Sequence, residues 1–480
     1  MESVGGAASQ RSGMAVAVKG MFARQPLAWT SREHDGPTLR RTLGWPALTA
    51  IGLGTMLGGI FPTIGAGAHA AGPGVILAYV LSGFVSLCVA LCYAEFASMV
   101  PVAGSAYTYA YATLGEVVAW VIGWDLILEY GLSVAPTASS WSAYAQQVLS
   151  GIGMTLPGWA QNGDIVHGQV DVIAAIVVLV ITILVAVGIR ESANVNAALV
   201  VFQIVTMIVF IAATIGAVHG ALLHPFAPKG FHGIVAGTAL VFYAYIGFDT
   251  VTVASEEAND PVRHVPLSII LSLIVGGLLY VALAFCTVAA MPYGRLSDGA
   301  AMLDAVKAAT SNPVVFWIVA LGGVAGNTTV MVTSLLGQIR IFYVMARDRM
   351  LPQGVAKIHP RFRTPARMTL ITGAAVMLLA AALPLSALLN FVNIGTLSAF
   401  AIVCAGVLVL RIIQPNAKRP FRAPLVWFFG VAGAVLCPFL ITGLDVWTWL
   451  RFAVWFIIGI VIYAAYGYRK SRLRALAPPS

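Results

Sequence analysis

GLGTMLGGIF, from Gly52 to Phe61, places four glycines in eight residues near the middle of an apolar run. Each glycine costs a continuous helix about 1 kcal/mol against alanine, so the stretch predicts a helix that is interrupted. A second apolar run holds FYAYIGFD, Phe242 to Asp249, where Gly247 is followed two residues later by a carboxylate. Interrupted segments at corresponding places in two halves of a chain mark a carrier fold built from inverted repeats. The same glycines also have small-xxx-small spacings, which would serve close helix packing instead.

The rest of the chain agrees with a membrane setting. Of its 480 residues, 59% are hydrophobic and only 9% charged, with a mean hydropathy of +0.90. A soluble domain carries about 25% charged residues, so one soluble core cannot hide this much apolar surface. Runs long enough to span occur at 46–69, 73–97, 116–147, 170–189, 197–218, 234–256, 266–289, 314–345, 368–383, 386–410, 425–444 and 447–467. The expected fold class is therefore an all-α membrane protein with about twelve transmembrane helices. It has two five-span inverted repeats, at about 44–218 and 233–411, with broken first and sixth helices, and two extra spans at about 425–467.

The net charge of +9 does not point to nucleic acid, because the basic residues sit in short loops between spans and in the tails. With both termini cytoplasmic, all but four of the 27 Lys and Arg lie on the inner side, the exceptions being Lys229, Arg295, Lys307 and Arg451. A plasma (inner) membrane location follows, with a cytoplasmic tail at 1–41, a transmembrane domain at 42–469 and a second tail at 470–480. The five cysteines (Cys88, Cys92, Cys286, Cys404 and Cys437) lie in apolar runs without CxxC spacing and read as packing residues. The eight histidines form no HxxxH or His/Cys cluster, so neither a metal nor a cofactor is expected.

A helix broken at bilayer depth exposes N–H and C=O groups that lipid cannot satisfy, at several kcal/mol each. At the first break the N–H groups of Gly58, Gly59 and Ile60, at the positive end of a half-helix, would receive an anion. The carbonyls of Met56, Tyr243, Ala244 and Ile246 would receive an ammonium. An anion site beside an ammonium site describes an α-amino acid.

Eight segments in order carry a family resemblance. They are GLGTMLGGIF, YAEFASMVPVAGSAYTYAYATLGE (Tyr93–Glu116), GWDLILEY (Gly123–Tyr130), YIGFDTVTVASEEANDPVRHVP (Tyr245–Pro266), YVMARDRMLP (Tyr343–Pro352), HPRFRTP (His359–Pro365), FVNIGTL (Phe391–Leu397) and RPFRAP (Arg419–Pro424). The chain resembles the amino acid-polyamine-organocation superfamily, and within it the cationic amino acid transporter branch and its bacterial relatives. That resemblance implies alternating access around a midplane site. It also implies that Met56, Gly58, Gly59, Tyr243, Ala244 and Ile246 hold the backbone ends of the substrate. Two positions depart from the family pattern. The first break reads GGIF (Gly58–Phe61) where relatives read GxGIF, which would shift the carboxylate contacts by a residue. Gln203 stands where proton-coupled bacterial members carry a Lys, leaving uniport, exchange and coupling through another group open, with the proton as a candidate coupling ion.

Ionisable groups at bilayer depth cost roughly 2.5–3.5 kcal/mol each. Glu129, four residues from Asp125 on one helix face, reads either as a pocket or proton-linked carboxylate or as a hydrogen-bonded structural acid. Asp249 reads as a cap or gate. Thr333 and Ser334 lie at the level where sodium-coupled relatives ligate an ion, with side-chain-to-backbone bonding as the plainer role. Glu95, Glu191, Glu256 and Glu257 read as inner-gate ion pairs with Arg263, Arg340 or Arg347, and Tyr107, Tyr109 and Tyr111 as anchors of an interfacial helix. The expected function is carriage of cationic or small neutral α-amino acids, with a polyamine or other organic-cation exchanger as the alternative. An enzyme or receptor is disfavoured, because no catalytic constellation or output domain accompanies the spans. The implied partners are the amino acid and the lipid bilayer, and a small accessory subunit is left unspecified.

Overall fold

The computed structural model describes residues 42–99, 105–188, 193–362 and 364–471. The tail at 1–41, Glu191, the side chain of Glu256 and residues 472–480 lie outside the described residues, as does part of the Tyr93–Glu116 motif.

The described chain is helical almost throughout, as its apolar periodicity requires. In order run α1 (Trp45–Leu57), α2 (Ile60–Ala71), α3 (Val75–Met99), α4 (Ser105–Thr113), α5 (Glu116–Leu132), α6 (Val134–Gly151), α7 (Val172–Val187) and α8 (Ala193–Thr214). There follow α9 (Gly230–Val241), α10 (Thr250–Val253), α11 (Pro261–Ala290), α12 (Ala301–Ala309), α13 (Pro313–Arg347), α14 (Ala366–Ala382), α15 (Leu385–Ile413), α16 (Val426–Ile441) and α17 (Val446–Ile462). Among the described residues, eight helical stretches are long and apolar enough to cross a membrane, and four shorter apolar helices accompany them. The division between the ninth and tenth apolar runs falls at Leu383 and Pro384, where proline stops α14 and opens α15.

Several helices begin with a polar side chain that meets an otherwise unpaired N–H. Asp171 accepts from Ala174 N ahead of α7, Asn312 from Val314 N ahead of α13, and Asp445 from Thr448 N ahead of α17. Such caps contribute roughly 0.5–2 kcal/mol each and fix where a span enters the apolar layer.

Two sequence expectations are corrected. Glu95 does form buried ion pairs, but with Arg411 (2.7 Å) and Arg419 (3.2 Å), not with Arg263, Arg340 or Arg347. Arg411 grips both carboxylate oxygens, and Ala423 N donates to one of them at 2.9 Å. The C-terminal end of α3 is thereby stapled to the end of α15 and to the loop that follows it. Tyr107, Tyr109 and Tyr111 of α4 are buried, and Tyr107 donates to Asp348 at 3.0 Å. They pack inside the protein because α4 lies under α5, so they are not anchors at a lipid interface. The cysteines are free and buried, as packing residues are; Gly433 fits beneath the Cys404 thiol, where a Cβ would stand 2.6 Å from Sγ.

Candidate functional site

The two predicted interruptions are both present. The first is short: only Gly58 and Gly59 separate α1 from α2, and both keep right-handed helical angles. The second is long. The chain leaves α9, makes a tight turn over Phe242–Tyr245, becomes extended at Ile246, passes Gly247 at φ +120° and resumes as α10 only at Thr250.

These breaks lie against each other, which is what their glycines permit. A Cβ on Gly59 would stand 2.8 Å from the Ala244 Cα, and one on Gly58 would stand 2.6 Å from the Gly326 carbonyl oxygen of α13. At Gly247 the positive φ already disfavours other residues, and a Cβ there would meet the Thr55 side chain at 2.8 Å.

The carbonyl ends of the broken helices are partly satisfied. Asn393 of α15 donates through Nδ2 to the carbonyls of Ala239 (2.7 Å) and Leu240 (3.1 Å) at the end of α9. The Tyr280 hydroxyl of α11 lies 2.5 Å from the Met56 carbonyl oxygen and 2.9 Å from that of Ala244, so one O–H bridges the two breaks. Neither Asn393 nor Tyr280 was among the predicted site residues. FVNIGTL contained Asn393 as a motif residue, but nothing local in the sequence singles out one tyrosine in the long α11.

The amide end is more open. Gly59 brings no side chain to cap α2, and Pro62 in the first turn has no N–H. The expectation for Gly59 itself is corrected: its N–H turns back onto the Met56 carbonyl at 2.8 Å, because two helical residues make too tight a break to point every amide outward. Ile60 and Phe61 are left as the first-turn amides of α2.

A small cavity of about 10 Å³, room for about one water molecule, sits at the junction. Of the predicted residues, Gly59, Tyr243, Ile246 and Ser334 line it, joined by Thr55, Tyr130, Ser133, Gly247, Thr250 and Val330. Met56, Gly58, Ile60 and Ala244 belong to the adjoining backbone. The cavity is cross-braced by hydroxyls. Tyr243 donates to the Ser133 carbonyl at 2.7 Å, Thr55 and Thr250 pair across the breaks at 3.3 Å, and Tyr130 donates to Asp249 at 2.7 Å. That last bond ties α5 to the segment leading into α10.

Glu129 does not line the cavity, contrary to its expected place in the pocket. It is fully buried one residue before Tyr130, and its carboxyl group makes no hydrogen bond of good geometry. Asp249 is likewise fully buried and accepts a hydrogen bond from Tyr130, which lines the cavity. The Gln203 side-chain amide of α8 is buried with neither its nitrogen nor its oxygen hydrogen-bonded. Thr333 donates back to the Thr329 carbonyl at 2.8 Å.

A bundle of apolar helices in which two are broken side by side around a small buried cavity defines a multi-pass membrane transporter. The amino acid permease family model matches residues 43–467, and the chain belongs to that family. Among its relatives, the branched-chain amino acid permease BcaP of Bacillus subtilis (strain 168) is 41% identical over 452 residues, covering 93% of this chain and 97% of the relative. The methylthioribose transporter of the same organism is 37% identical over 457 residues, covering 94% and 99%. The vacuolar cationic amino acid transporter 4 of Arabidopsis thaliana is 35% identical over 398 residues, covering 80% of this chain and 66% of the relative. Its relatives being permeases and transporters, the chain is not an enzyme.

Proposed function

We propose that the chain carries neutral α-amino acids across the plasma membrane by alternating access. The observation that carries this reading is the cavity wall: two broken helices meet there, and among the described residues no Asp, Glu, Lys or Arg lines it. A cationic side chain or a polyamine would bring a charge into this buried space without a counter-ion, which is costly. A zwitterion instead places its carboxylate at the Ile60 and Phe61 end of α2. Its ammonium goes to the Ile246 carbonyl and to that of Ala244, which the Tyr280 hydroxyl holds in register, while the Met56 carbonyl already accepts from Tyr280 and Gly59. The aliphatic side chain rests on Val330 and Ile246 once the site widens, since the cavity of about 10 Å³ is closed around the space of one water in this conformation.

With α1 and α2, α5 and α6, and α9 and α10 each counted as one interrupted span, α4 and α12 left as peripheral helices and the other helices counted singly, the spans number twelve. The repeats then fall at about 44–218 and 233–411, the extra spans at about 425–467, and the tails at 1–41 and 470–480 in the cytoplasm. In this reading the Tyr130–Asp249 bond closes one side of the site and breaks when that side opens. Gln203 carries no fixed charge, so uptake is only weakly driven by a proton gradient, and a protonophore that abolished it would contradict this.

A second reading, a neutral thio-sugar, is favoured by the hydroxyls of Thr55, Tyr130, Ser133, Thr250 and Ser334 in the wall and by the methylthioribose transporter among the relatives. Counterflow into proteoliposomes preloaded with leucine separates the possibilities. Isoleucine, leucine and alanine are expected to exchange, whereas arginine and putrescine are not. Faster exchange of arginine or putrescine overturns the neutral reading, and methylthioribose uptake into vesicles preloaded with methylthioribose, with no exchange in leucine-loaded ones, establishes the second.

A further inference from the structure

Away from the transport cavity, a groove of about 480 Å³ opens on the protein surface between the start of α11 and the loop preceding α16. Pro266, Leu267 and Ile270 form one wall and Pro420 and Phe421 the other, with Arg263 at the mouth. The loop wall is held rigidly. Arg419 is committed to Glu95 and to the carbonyls of Leu410, Pro415, Ala417 and Gln414, while Phe421 N donates to Ser98 at 3.2 Å.

Lys418 and Arg422, flanking the committed Arg419 and the Pro420–Phe421 wall, are exposed, and among the described residues neither has an acidic partner. Arg263 is 86% exposed and has only a loose contact with Asp260 at 3.9 Å. It also sits in the first turn of α11, where the helix dipole disfavours a cation. Above the groove the apolar wall continues as an exposed stripe on α11, with Leu267, Ile274 and Leu278 spaced for one helix face. A concentration of unpaired positive charge at the foot of an apolar track is complementary to one chemistry, an anionic head on an acyl chain.

We propose that this groove binds an anionic phospholipid, its head group held by Arg263 and Arg422 and one acyl chain laid along the α11 stripe. The lipid bridges α11 to the loop stapled onto α3, so it stabilises the packed bundle.

The test is thermal unfolding of the purified full chain in detergent with added phosphatidylglycerol, phosphatidylcholine of the same acyl chains, or inorganic phosphate. Phosphatidylglycerol is expected to raise the Tm in a saturable, salt-sensitive way while the other two do not. Arg263→Gln and Arg422→Gln should each weaken the apparent affinity about five-fold, from ~1 kcal/mol per basic residue near a membrane surface, whereas Arg295→Gln leaves it unchanged. Native mass spectrometry of the double variant, which should elute as the wild type does and retain counterflow, is expected to show loss of bound phosphatidylglycerol. An equal shift with phosphatidylcholine, a shift with phosphate alone, or undiminished binding by the double variant overturns the proposal.

Discussion

The two helix breaks were announced by opposite sequence signals. The first has four glycines, yet its backbone barely departs from helical: two residues in right-handed conformation and α2 begins. The second has one glycine, yet there the helix tightens to a 3-10 turn over Phe242–Tyr245 and is then lost from Ile246 to Asp249. Glycine number in the first break reports crowding, because Gly58 and Gly59 have backbone atoms of Gly326 and Ala244 where a Cβ would be. In the second, a single positive φ at Gly247 is enough to turn the chain. One break is a matter of close approach and the other of backbone conformation, and together they make the cavity.

If the first break is crowded by backbone, a large side chain there should have the greatest effect. Gly59→Leu is expected to abolish uptake while membrane insertion, read by surface labelling, stays intact. Normal transport by this variant would remove Gly59 from the site. If the second break depends on its φ, Gly247→Ala should follow. Strain of this kind costs of order 1–3 kcal/mol, so uptake should fall about ten- to a hundred-fold with a lower Tm, and an unaffected variant would mean that the turn can reshape freely.

The bridge between the breaks should matter less. Tyr280→Phe removes one O–H from two carbonyls, and a net contribution of about 0.5–1.5 kcal/mol per hydrogen bond predicts a three- to ten-fold weaker apparent affinity, measured by substrate titration of uptake. No change would show that the two breaks are held by packing alone. The smallest expected effect is that of Glu129→Gln, outside the cavity wall. It should alter the pH profile of uptake more than its maximal rate, and an unchanged profile would leave Glu129 a structural acid.

The sequence was informative where the physics is local. Apolar runs marked the helices, Pro384 the boundary between α14 and α15, and Gly52–Phe61 and Phe242–Asp249 the breaks. It was uninformative where a partner comes from far along the chain. Tyr280 reaches Met56 from 224 residues away and Arg411 reaches Glu95 from 316, and neither spacing leaves a pattern. Glu129 shows the same limit from the other side. Its helix and depth could be read, but whether it faced the cavity depended on the rotation of α5, which places Tyr130 and Ser133 there instead.

Equilibrium binding of radiolabelled leucine, competed by N-acetylleucine and by leucinamide, tests most directly whether the two breaks together receive the two ends of a zwitterion. Each analogue keeps the side chain and removes one charged end. Neither is expected to displace leucine at concentrations where unlabelled leucine does so completely. Displacement by either analogue as effective as that by leucine would mean that the corresponding break does not hold the end assigned to it.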